Sequence, residues 1–366
     1  MDYNGSAPLH PAARAAMVPF LDIGQGNPSA GHWASDPARE AIEDARADVA
    51  GLIGAAPAEI VFTSGGTEAN ATAIMGAFEG ARASGGHVIT SAIEHDAVLR
   101  PIRHLRKRGV AVTVVPVDEF GIVNPDDVRK AIRSDTRLIS VMAANNETGS
   151  LQPVADVAAI ARAHGVPMHT DAAQAVGKTV AEVASLGVDF LSLAGHKFGG
   201  PKGIGALYVR HGMRFSPLIL GGRQEYGRRA GTESALLAAG LGAAARAAVN
   251  CDHGKVRTLR DEFWASLQAR FRSQIVLNGH LEHSVPNTLN VSFPGRVGAE
   301  ILAAMPHVAA TTGSACHAGC IDMSHVLIAM GKSVDVGLGT IRFSLGAGNT
   351  TDEIEAVVAE LGRVLG

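Results

Sequence analysis

The chain has 366 residues, 46% of them hydrophobic, and a formal net charge of −3. The near-balanced charge gives no excess of positive charge that would indicate binding to nucleic acid or to an anionic membrane. No apolar run in the sequence reaches the length of a membrane span. The length exceeds one simple core and predicts a large domain with a smaller companion. Three cysteines and an opening without a basic or apolar leader argue against a secreted disulfide framework and predict a cytoplasmic protein.

Short apolar runs alternate with amphipathic stretches from about residue 58. They predict strands at residues 59–63, 87–90, 110–115, 138–142, 166–170 and 190–193, and helices at 67–83, 96–107, 125–133 and 154–164. This alternation is typical of a parallel sheet with right-handed crossovers. Ligands bind such sheets at the carboxyl ends of the strands, and the motifs described next fall there.

The second half of the chain changes character after a helix predicted at 234–248. The polar stretch Asn250-Cys-Asp-His-Gly254 favours a domain boundary. A helix at 256–271, strands at 286–293 and 340–344, and a final helix at 351–365 follow it. We predict a large domain at residues 12–250 and a small α+β domain made of residues 1–11 and 251–366.

Lys197 stands in a glycine-bounded turn after a predicted strand, and Asp171 ends the strand before it. A lysine can form a Schiff base with pyridoxal 5′-phosphate (PLP), and a carboxylate can keep the pyridine nitrogen protonated so that the ring withdraws electrons. Taken alone, Lys197 is typical of a solvated turn residue and Asp171 of a helix cap. The neighbouring motifs favour the cofactor.

Three further motifs follow predicted strands. Gly66 and Thr67 open a helix whose N-terminus and free amides attract phosphate, and an N-cap by Thr67 is the alternative. His95 can stack on a pyridine ring and move protons, or cap a helix. Asn146 is within reach of the same pocket, or is a turn former.

Four more features bear on a substrate. Gln174 can donate a hydrogen bond to the phenolic oxygen of the cofactor. The polar, glycine-rich loop 221–232 can cap a phosphate in a neighbouring subunit. Arg342 can clamp an α-carboxylate, although a surface arginine is the alternative. Cys316, flanked by glycine and small residues, is expected on an accessible loop.

Together these residues resemble the cysteine desulfurases and selenocysteine lyases, class-V aminotransferases among the fold-type I PLP enzymes. The motifs TSGGTEAN, EHDAV, NNETG, HTDAAQ, GHK, GT and GSAC occur in the family's order across nearly the whole chain. The segment from Cys316 to Ser324 is as long as in the group with an extended active-site loop, which includes iron–sulfur cluster and nitrogen-fixation desulfurases. The resemblance implies an α/β fold, with a mainly parallel seven-stranded sheet flanked by helices and a small α+β domain that carries Cys316.

The resemblance also implies a set of site residues. The catalytic residues are Lys197, Cys316 and His95. The cofactor contacts are Gly66, Thr67, His95, Asn146, Asp171, Gln174, His196 and Lys197, with Thr232 supplied across a homodimer interface. The substrate contacts are Asn146 and Arg342. The implied partners are a small amino acid, a second copy of the chain and a sulfur-acceptor protein, with no nucleic acid and no membrane.

Three positions depart from the family pattern. The segment Gly5-Ser-Ala7 replaces a more common Ala-Thr-Thr, which affects substrate-side contacts. Ala194 stands where a phosphate-binding serine is frequent, so one hydroxyl donor is absent. Ala347 replaces a common arginine.

The expected reaction is cleavage of the C–S bond of L-cysteine, with sulfur passed to the Cys316 thiolate and alanine released. Selenocysteine lyase is the nearest alternative, because the residues around Cys316 and the opening Met1-Asp-Tyr-Asn4 resemble that branch more closely. An aminotransferase or β-lyase in which Cys316 is incidental also fits the motifs, as does a PLP-binding scaffold or sulfur-relay partner without turnover. Cys320 is either a relay partner of Cys316 or a bystander, and no cysteine or histidine spacing indicates zinc.

Overall fold

The computed structural model describes residues 1–21, 26–79, 85–313 and 323–366. Within these ranges the strands are β1 Ile60–Thr63, β2 His87–Ser91, β3 Ala111–Val115, β4 Thr136–Ser140, β5 Met168–Asp171, β6 Phe190–Ala194, β7 Gly205–Val209, β8 Val276–Asn278, β9 Thr288–Ser292 and β10 Thr340–Ser344. The helices there are α1 Pro11–Met17, α2 Asp36–Ile53, α3 Gly66–Glu79, α4 Asp96–Lys107, α5 Pro125–Ala131, α6 Val154–Ala163, α7 Val183–Leu186, α8 Ala235–Val249, α9 His253–Phe271, α10 Gly298–Ala303, α11 His325–Ala329, α12 Val334–Leu338 and α13 Thr351–Leu365.

The large sheet has the strand order β1-β7-β6-β5-β4-β2-β3, and its seven strands all lie in the described ranges. The pairs from β6 through β3 are parallel, and β7 runs antiparallel to both of its neighbours. The mainly parallel seven-stranded sheet is therefore confirmed. The sequence patterns did not predict β7 or α2. After β6 the chain turns through a glycine-rich segment and returns as β7, antiparallel to β6.

Adjacent strand residues face opposite sides of this sheet. Val61, Val88 and Leu138 pack into one apolar cluster with helices α3 and α4, whereas their neighbours Phe62 and Ile89 pack into another. The second cluster includes residues of α2, α6 and α8. Strands buried on both faces appear in sequence as continuous apolar runs, which is why residues 59–63 and 87–90 predicted strands correctly.

Helix α4 shows how one of the predicted helices is specified. Its N-cap residue His95 accepts a hydrogen bond from the Ala97 amide, and the helix then buries Val98, Ile102 and Leu105. These positions recur at intervals of three and four residues, so they lie on one face of the helix. The predicted bounds, 96–107, are confirmed.

A buried histidine ties the centre of the large sheet together. His169 on β5 contacts the Ser140 hydroxyl on β4 through Nδ1 (2.8 Å) and the Ser192 hydroxyl on β6 through Nε2 (3.0 Å). Burial lowers the pKa of His169 to about 3, so the ring stays uncharged. These contacts fix the strand that ends at Asp171.

A second sheet is antiparallel, with the order β10-β9-β8 among the described strands. It packs with helices α9 and α13 around a separate apolar cluster that contains Phe263, Phe343 and Leu361. The N-terminus joins this sheet, because Asp2 pairs with Ser344. The domain boundary at residues 250–251 stays a prediction; it falls between α8 and α9. In the described ranges, every helix is too short or too polar to cross a membrane.

Candidate active site

Lys197 lies in the helical turn that follows β6. Its Nζ donates to the carbonyl oxygens of Asn4 (2.7 Å) and Gly5 (3.1 Å). Burial lowers the pKa of Lys197, and the positive charge of Arg342 lowers it further, while Asp171 opposes both. A lowered pKa favours the uncharged amine, which is the form that attacks an aldehyde. Asn4 was not predicted as a site residue.

Asp171 ends β5 and is buried. Its Oδ2 accepts a hydrogen bond from the Asn70 side-chain amide (2.6 Å), and its Oδ1 accepts one from the Ala173 backbone amide (2.9 Å). Asn70 lies on α3, 101 residues away in sequence. The two donors hold the carboxylate in place at the cavity wall, where it can face a pyridine nitrogen.

Gly66 and Thr67 begin α3 at the carboxyl end of β1 and line the same cavity as His196. A Cβ on Gly66 would lie 3.3 Å from that of Ala194, so Ala194 packs directly against this turn. The helix N-terminus supplies free amides and a favourable dipole for an anion. Those amides can compensate for the hydroxyl that Ala194 lacks.

His196 faces Ser6, whose hydroxyl lies 3.3 Å from its Nδ1. Burial, and then the positive charges of Lys197, Lys202 and Lys178, lower the pKa of His196 to about 4. The ring is therefore uncharged at neutral pH. It can still donate one N–H to a phosphate oxygen.

His95 caps a helix and also lines the cavity. Its Nδ1 accepts from the Ala97 amide (3.1 Å), so it caps α4, and its ring also lines the cavity. Because Nδ1 is an acceptor, the proton of the neutral ring is on Nε2. The cap fixes the ring orientation beside the place where a planar cofactor can lie.

Arg342 lies on β10 and reaches the cavity with two of its nitrogens engaged. Nη1 donates to the Asn146 carbonyl oxygen (2.7 Å), and Nη2 pairs with Asp2 Oδ1 (2.7 Å). Its buried Nε has no hydrogen-bond partner among the described residues. Sequence reasoning missed Asp2, because 340 residues separate it from Arg342.

Two predicted site residues are not placed in this cavity. Cys316 lies outside the described residues, as does Cys320. Thr232 is exposed and is not among the described residues that line the cavity. Its loop is held to the large sheet by Glu225, whose carboxylate pairs with the buried Arg46 (2.7 Å) and accepts from the Phe62 amide (2.9 Å).

The cavity has a volume of about 360 Å³ and gathers most of the predicted site. It is lined by Asn4, Gly5, Gly66, Thr67, Asn70, His95, Ala97, Met142, Ala144, Asn146, Asp171, Ala173, Gln174, Ala194, His196, Lys197 and Arg342. This donor set fits PLP: an amine for the aldehyde, a carboxylate for the pyridine nitrogen, a flat-ring neighbour, and a helix N-terminus for the phosphate. It also leaves a guanidinium for the carboxylate of a substrate.

The comparisons with known proteins agree with this geometry. A family model described as class-V aminotransferase matches residues 1–357. The chain is similar to the cysteine desulfurase IscS of Dictyoglomus turgidum, at 42% identity over all of this chain and 94% of that protein. It is also similar to the IscS of Methanosarcina thermophila, at 41% identity over all of this chain and 91% of that protein.

Two solved structures extend the similarity to three dimensions. A NifS-like protein superposes with a TM-score of 0.92 at 34% identity, covering 100% of this chain and 98% of the other. The protein SspA, solved in complex with cysteine, superposes with a TM-score of 0.83 at 36% identity, covering 94% of this chain and 97% of the other. The fold around the cavity is therefore shared along almost the full length.

Proposed function

The chain belongs to the cysteine desulfurase family of class-V aminotransferases, and from this premise we propose that it converts L-cysteine to L-alanine and passes the sulfur to Cys316. Its cofactor is pyridoxal 5′-phosphate. The observation that carries the proposal is the convergence on one cavity of Asp171 from the end of β5, Lys197 from the turn after β6, and Arg342 from β10. Such a cavity can hold the cofactor and the carboxylate of an amino acid together.

The bound cofactor supplies an electron-withdrawing ring that labilises bonds at the substrate α-carbon. Lys197 would hold the cofactor through its amine and would also be the base placed to take the substrate α-proton. Asp171 would keep the pyridine nitrogen protonated, and His95 would contact the cofactor ring. Arg342 binds the substrate carboxylate. This contact fixes the orientation of the substrate, including its sulfur-bearing side chain.

The sulfur step follows from the family assignment of Cys316. The Cys316 thiolate attacks the substrate sulfur, an S–S bond forms and the C–S bond breaks with its electron pair left on the β-carbon. Protonation of that carbon gives alanine, and the enzyme retains a persulfide. An acceptor thiol, most simply on a sulfur-acceptor protein, then takes the sulfur, as in iron–sulfur cluster assembly.

We also propose a homodimer in which the loop 221–232 brings Thr232 to the neighbouring subunit's phosphate site. The exposure of Thr232 and its position outside its own cavity lining support this arrangement.

The separate apolar clusters of the two sheets support the division into a large domain at 12–250 and a small domain at 1–11 and 251–366. A thiolate nucleophile requires a reducing compartment, which supports a cytoplasmic location.

Product analysis tests the proposed function. Purified protein supplied with L-cysteine or L-selenocysteine should release alanine and carry a persulfide on Cys316 after cysteine. Cys316→Ala should keep the visible absorption of bound cofactor and lose sulfur turnover by at least about a hundredfold, because it removes the nucleophile. Cys251→Ala is the matched control, since this half-buried cysteine is not among the described residues that line the cavity.

The competing reactions give different products. Alanine from selenocysteine alone, unaffected by Cys316→Ala, would identify a selenocysteine lyase. Pyruvate formation, or transfer of the amino group to an added 2-oxo acid, would identify a β-lyase or aminotransferase. Lys197→Ala should abolish both the visible absorption and alanine release, and retention of either would sink the assignment of the lysine.

A further inference from the structure

Lys178 is a buried lysine beside the cavity that the proposed mechanism does not use. Its Nζ donates to two side-chain amide oxygens, Oδ1 of Asn4 (2.8 Å) and Oε1 of Gln174. Both of those residues line the active-site cavity, whereas Lys178 does not. The lysine therefore contacts the site only through two amides.

The chemistry of the amine decides how those amides are oriented. A side-chain amide has an oxygen that accepts and a nitrogen that donates, and rotation by half a turn exchanges them. Lysine donates at least two hydrogen bonds whether its amine is charged or uncharged. The charged amine has no lone pair with which to accept, so both amide oxygens face Lys178, as the two hydrogen bonds in the structure show.

With both oxygens toward Lys178, the nitrogens of the two amides point away from it and donate. Gln174 Nε2 points away from Lys178 and donates to the Asn4 carbonyl oxygen (3.1 Å). The same carbonyl oxygen accepts from Lys197 Nζ at 2.7 Å. The Asn4 side chain is held on its other side, because Nδ2 donates to Thr288 Oγ1 (2.7 Å).

Burial agrees with this arrangement. Lys178 is only 7% exposed, and burial, then the charges of Lys197 and Arg342, lower its pKa well below the ordinary value. An amine kept in such a position at a cost in solvation needs both hydrogen bonds, because an unsatisfied buried donor is destabilising. Further partners for its Nζ are absent from the hydrogen bonds of the described residues.

We propose that Lys178 is a positioning residue for the reaction. It fixes Gln174 so that one N–H of its amide nitrogen bonds the Asn4 carbonyl oxygen and the other is available to the phenolic oxygen of the cofactor, and it fixes Asn4 against Lys197. This inference rests on the proposed function. The effect of Lys178 can be measured as the pH at which the bound cofactor loses its proton. A hydrogen bond from Gln174 stabilises negative charge on the phenolic oxygen, so loss of that hydrogen bond raises this pH.

The test is Lys178→Met in the cofactor-loaded protein, because methionine has similar length and donates nothing. The pH at which the visible absorption of the bound cofactor changes should move upward by about 0.5–1 unit, as expected for one lost hydrogen bond. kcat should fall roughly tenfold, with KM for cysteine changed less than about twofold, since Arg342 is untouched.

Two further variants separate positioning from a structural effect. Lys178→Met combined with Gln174→Ala should show the same absorption pH as Gln174→Ala alone, because both changes remove one hydrogen bond. Asn287→Ala is the matched control: Asn287 Nδ2 also donates to Asn4 Oδ1 (3.0 Å) but leaves Gln174 alone, so the absorption pH should stay unchanged. If Lys178→Met does not fold, Lys178→Gln, whose shorter side chain keeps an amide donor, should show a smaller shift in the same direction.

The inference is overturned if Lys178→Met or Lys178→Gln binds the cofactor and its absorption changes at the unaltered pH, or if the double variant shows additive shifts. The proposed function fails separately. In that case the unaltered protein itself shows no visible absorption with PLP or releases no alanine.

Discussion

Arg342 meets a carboxylate within its own chain before any substrate arrives. Asp2 pairs with Nη2 at 2.7 Å, and the Asn146 carbonyl oxygen occupies Nη1. Asp2 is about one-third exposed, so its charge is only partly screened. A second carboxylate that binds Arg342 therefore experiences repulsion from the first.

Asp2→Asn should lower KM for L-cysteine by roughly three- to tenfold, because the amide oxygen can still accept from Arg342 while the repelling charge is gone. kcat should change less, since the reacting atoms are untouched. Steady-state kinetics of alanine release measure both constants. Asp126→Asn, an exposed aspartate paired with Arg129, is the control and should leave KM unchanged. A higher KM for Asp2→Asn would show that the charge orients Arg342 more than it competes.

The residue scale is also where sequence reasoning was weakest. Gly66, Thr67 and His95 lie between a strand and the helix that follows it, so the local sequence pattern was enough to predict their place at the cavity. The contacts of Asp171 with Asn70 and of Arg342 with Asp2 join residues 101 and 340 positions apart, and no local pattern encodes such pairs. Asn4 could not be predicted for the same reason, because only the fold brings the N-terminal segment into contact with Lys197.

At the scale of elements, the ends of β2 and β4 are joined by one buried carboxyl group. Glu94 Oε1 accepts from the Ser91 hydroxyl (2.6 Å) and from the Met142 amide (2.8 Å), while Oε2 has no partner among the described residues. Burial raises the pKa of Glu94 from 4.5 to about 8, and the charge of Asp171 adds to this. At neutral pH the group is therefore protonated when the chain is folded.

This raised pKa predicts how stability depends on pH. An unfolded chain ionises Glu94 above about pH 4.5, whereas the folded chain resists ionisation until about pH 8. Its contribution to stability is present below pH 4.5, declines between 4.5 and 8, and is lost above that range. Glu94→Gln stays uncharged and lacks this decline.

Glu94→Gln should therefore unfold with a free energy similar to that of the unaltered protein near pH 4.5 and exceed it by roughly 1–4 kcal/mol near pH 8.5. Urea unfolding of the cofactor-free protein at both pH values measures the difference. Glu40→Gln, on the exposed face of α2, should show no pH-dependent difference. An equal difference at both pH values would mean that the amide changes packing and that Glu94 is not the titrating group.

The elements themselves were predicted to different extents. Helices 96–107 and 351–365 and strand 340–344 have the predicted bounds, because a cap or an apolar period marks each of them. The strand predicted at 138–142 lies at Thr136–Ser140, although the Val141 and Ala143 amides still donate to carbonyl oxygens of β5. Its register depends on neighbouring strands, which the local apolar run does not specify.

The whole molecule exposes large apolar side chains near the loop that carries Thr232. Trp33 is 85% exposed, Leu220 82% and Tyr226 67%. Tyr226 lines a cleft together with Pro28, Ser29 and residues 223–225. Leu220 directly precedes the loop 221–232, and Trp33 follows Pro28 and Ser29 in sequence. Exposed large apolar side chains beside a polar loop are typical of an interface between subunits. The loop lies toward the β1 edge of the sheet, because Glu225 accepts from the Phe62 amide.

Trp33→Glu with Leu220→Glu should convert the proposed dimer into monomers that lose PLP more readily, because each site would lose the proposed phosphate contact with Thr232 of the partner subunit. Light scattering gives the mass, and dialysis followed by absorption gives cofactor retention. Val114→Glu is the control, since Val114 is 51% exposed on β3 at the opposite edge of the sheet. A monomeric mass for the unaltered protein with full activity would contradict the dimer.

Subunit mixing tests whether Thr232 acts across that interface. Lys197→Ala and Thr232→Ala proteins should each be impaired, since one lacks the amine and the other a phosphate contact. In a mixed dimer, the Thr232→Ala subunit keeps Lys197 and receives Thr232 from its partner, so one of its two sites is complete. Unfolding and refolding the two together should restore about a quarter of the unaltered activity, because random pairing makes half of the dimers mixed. If Thr232 served its own subunit, each mixed dimer would lack a complete site, and mixing would leave activity at the average of the two variants.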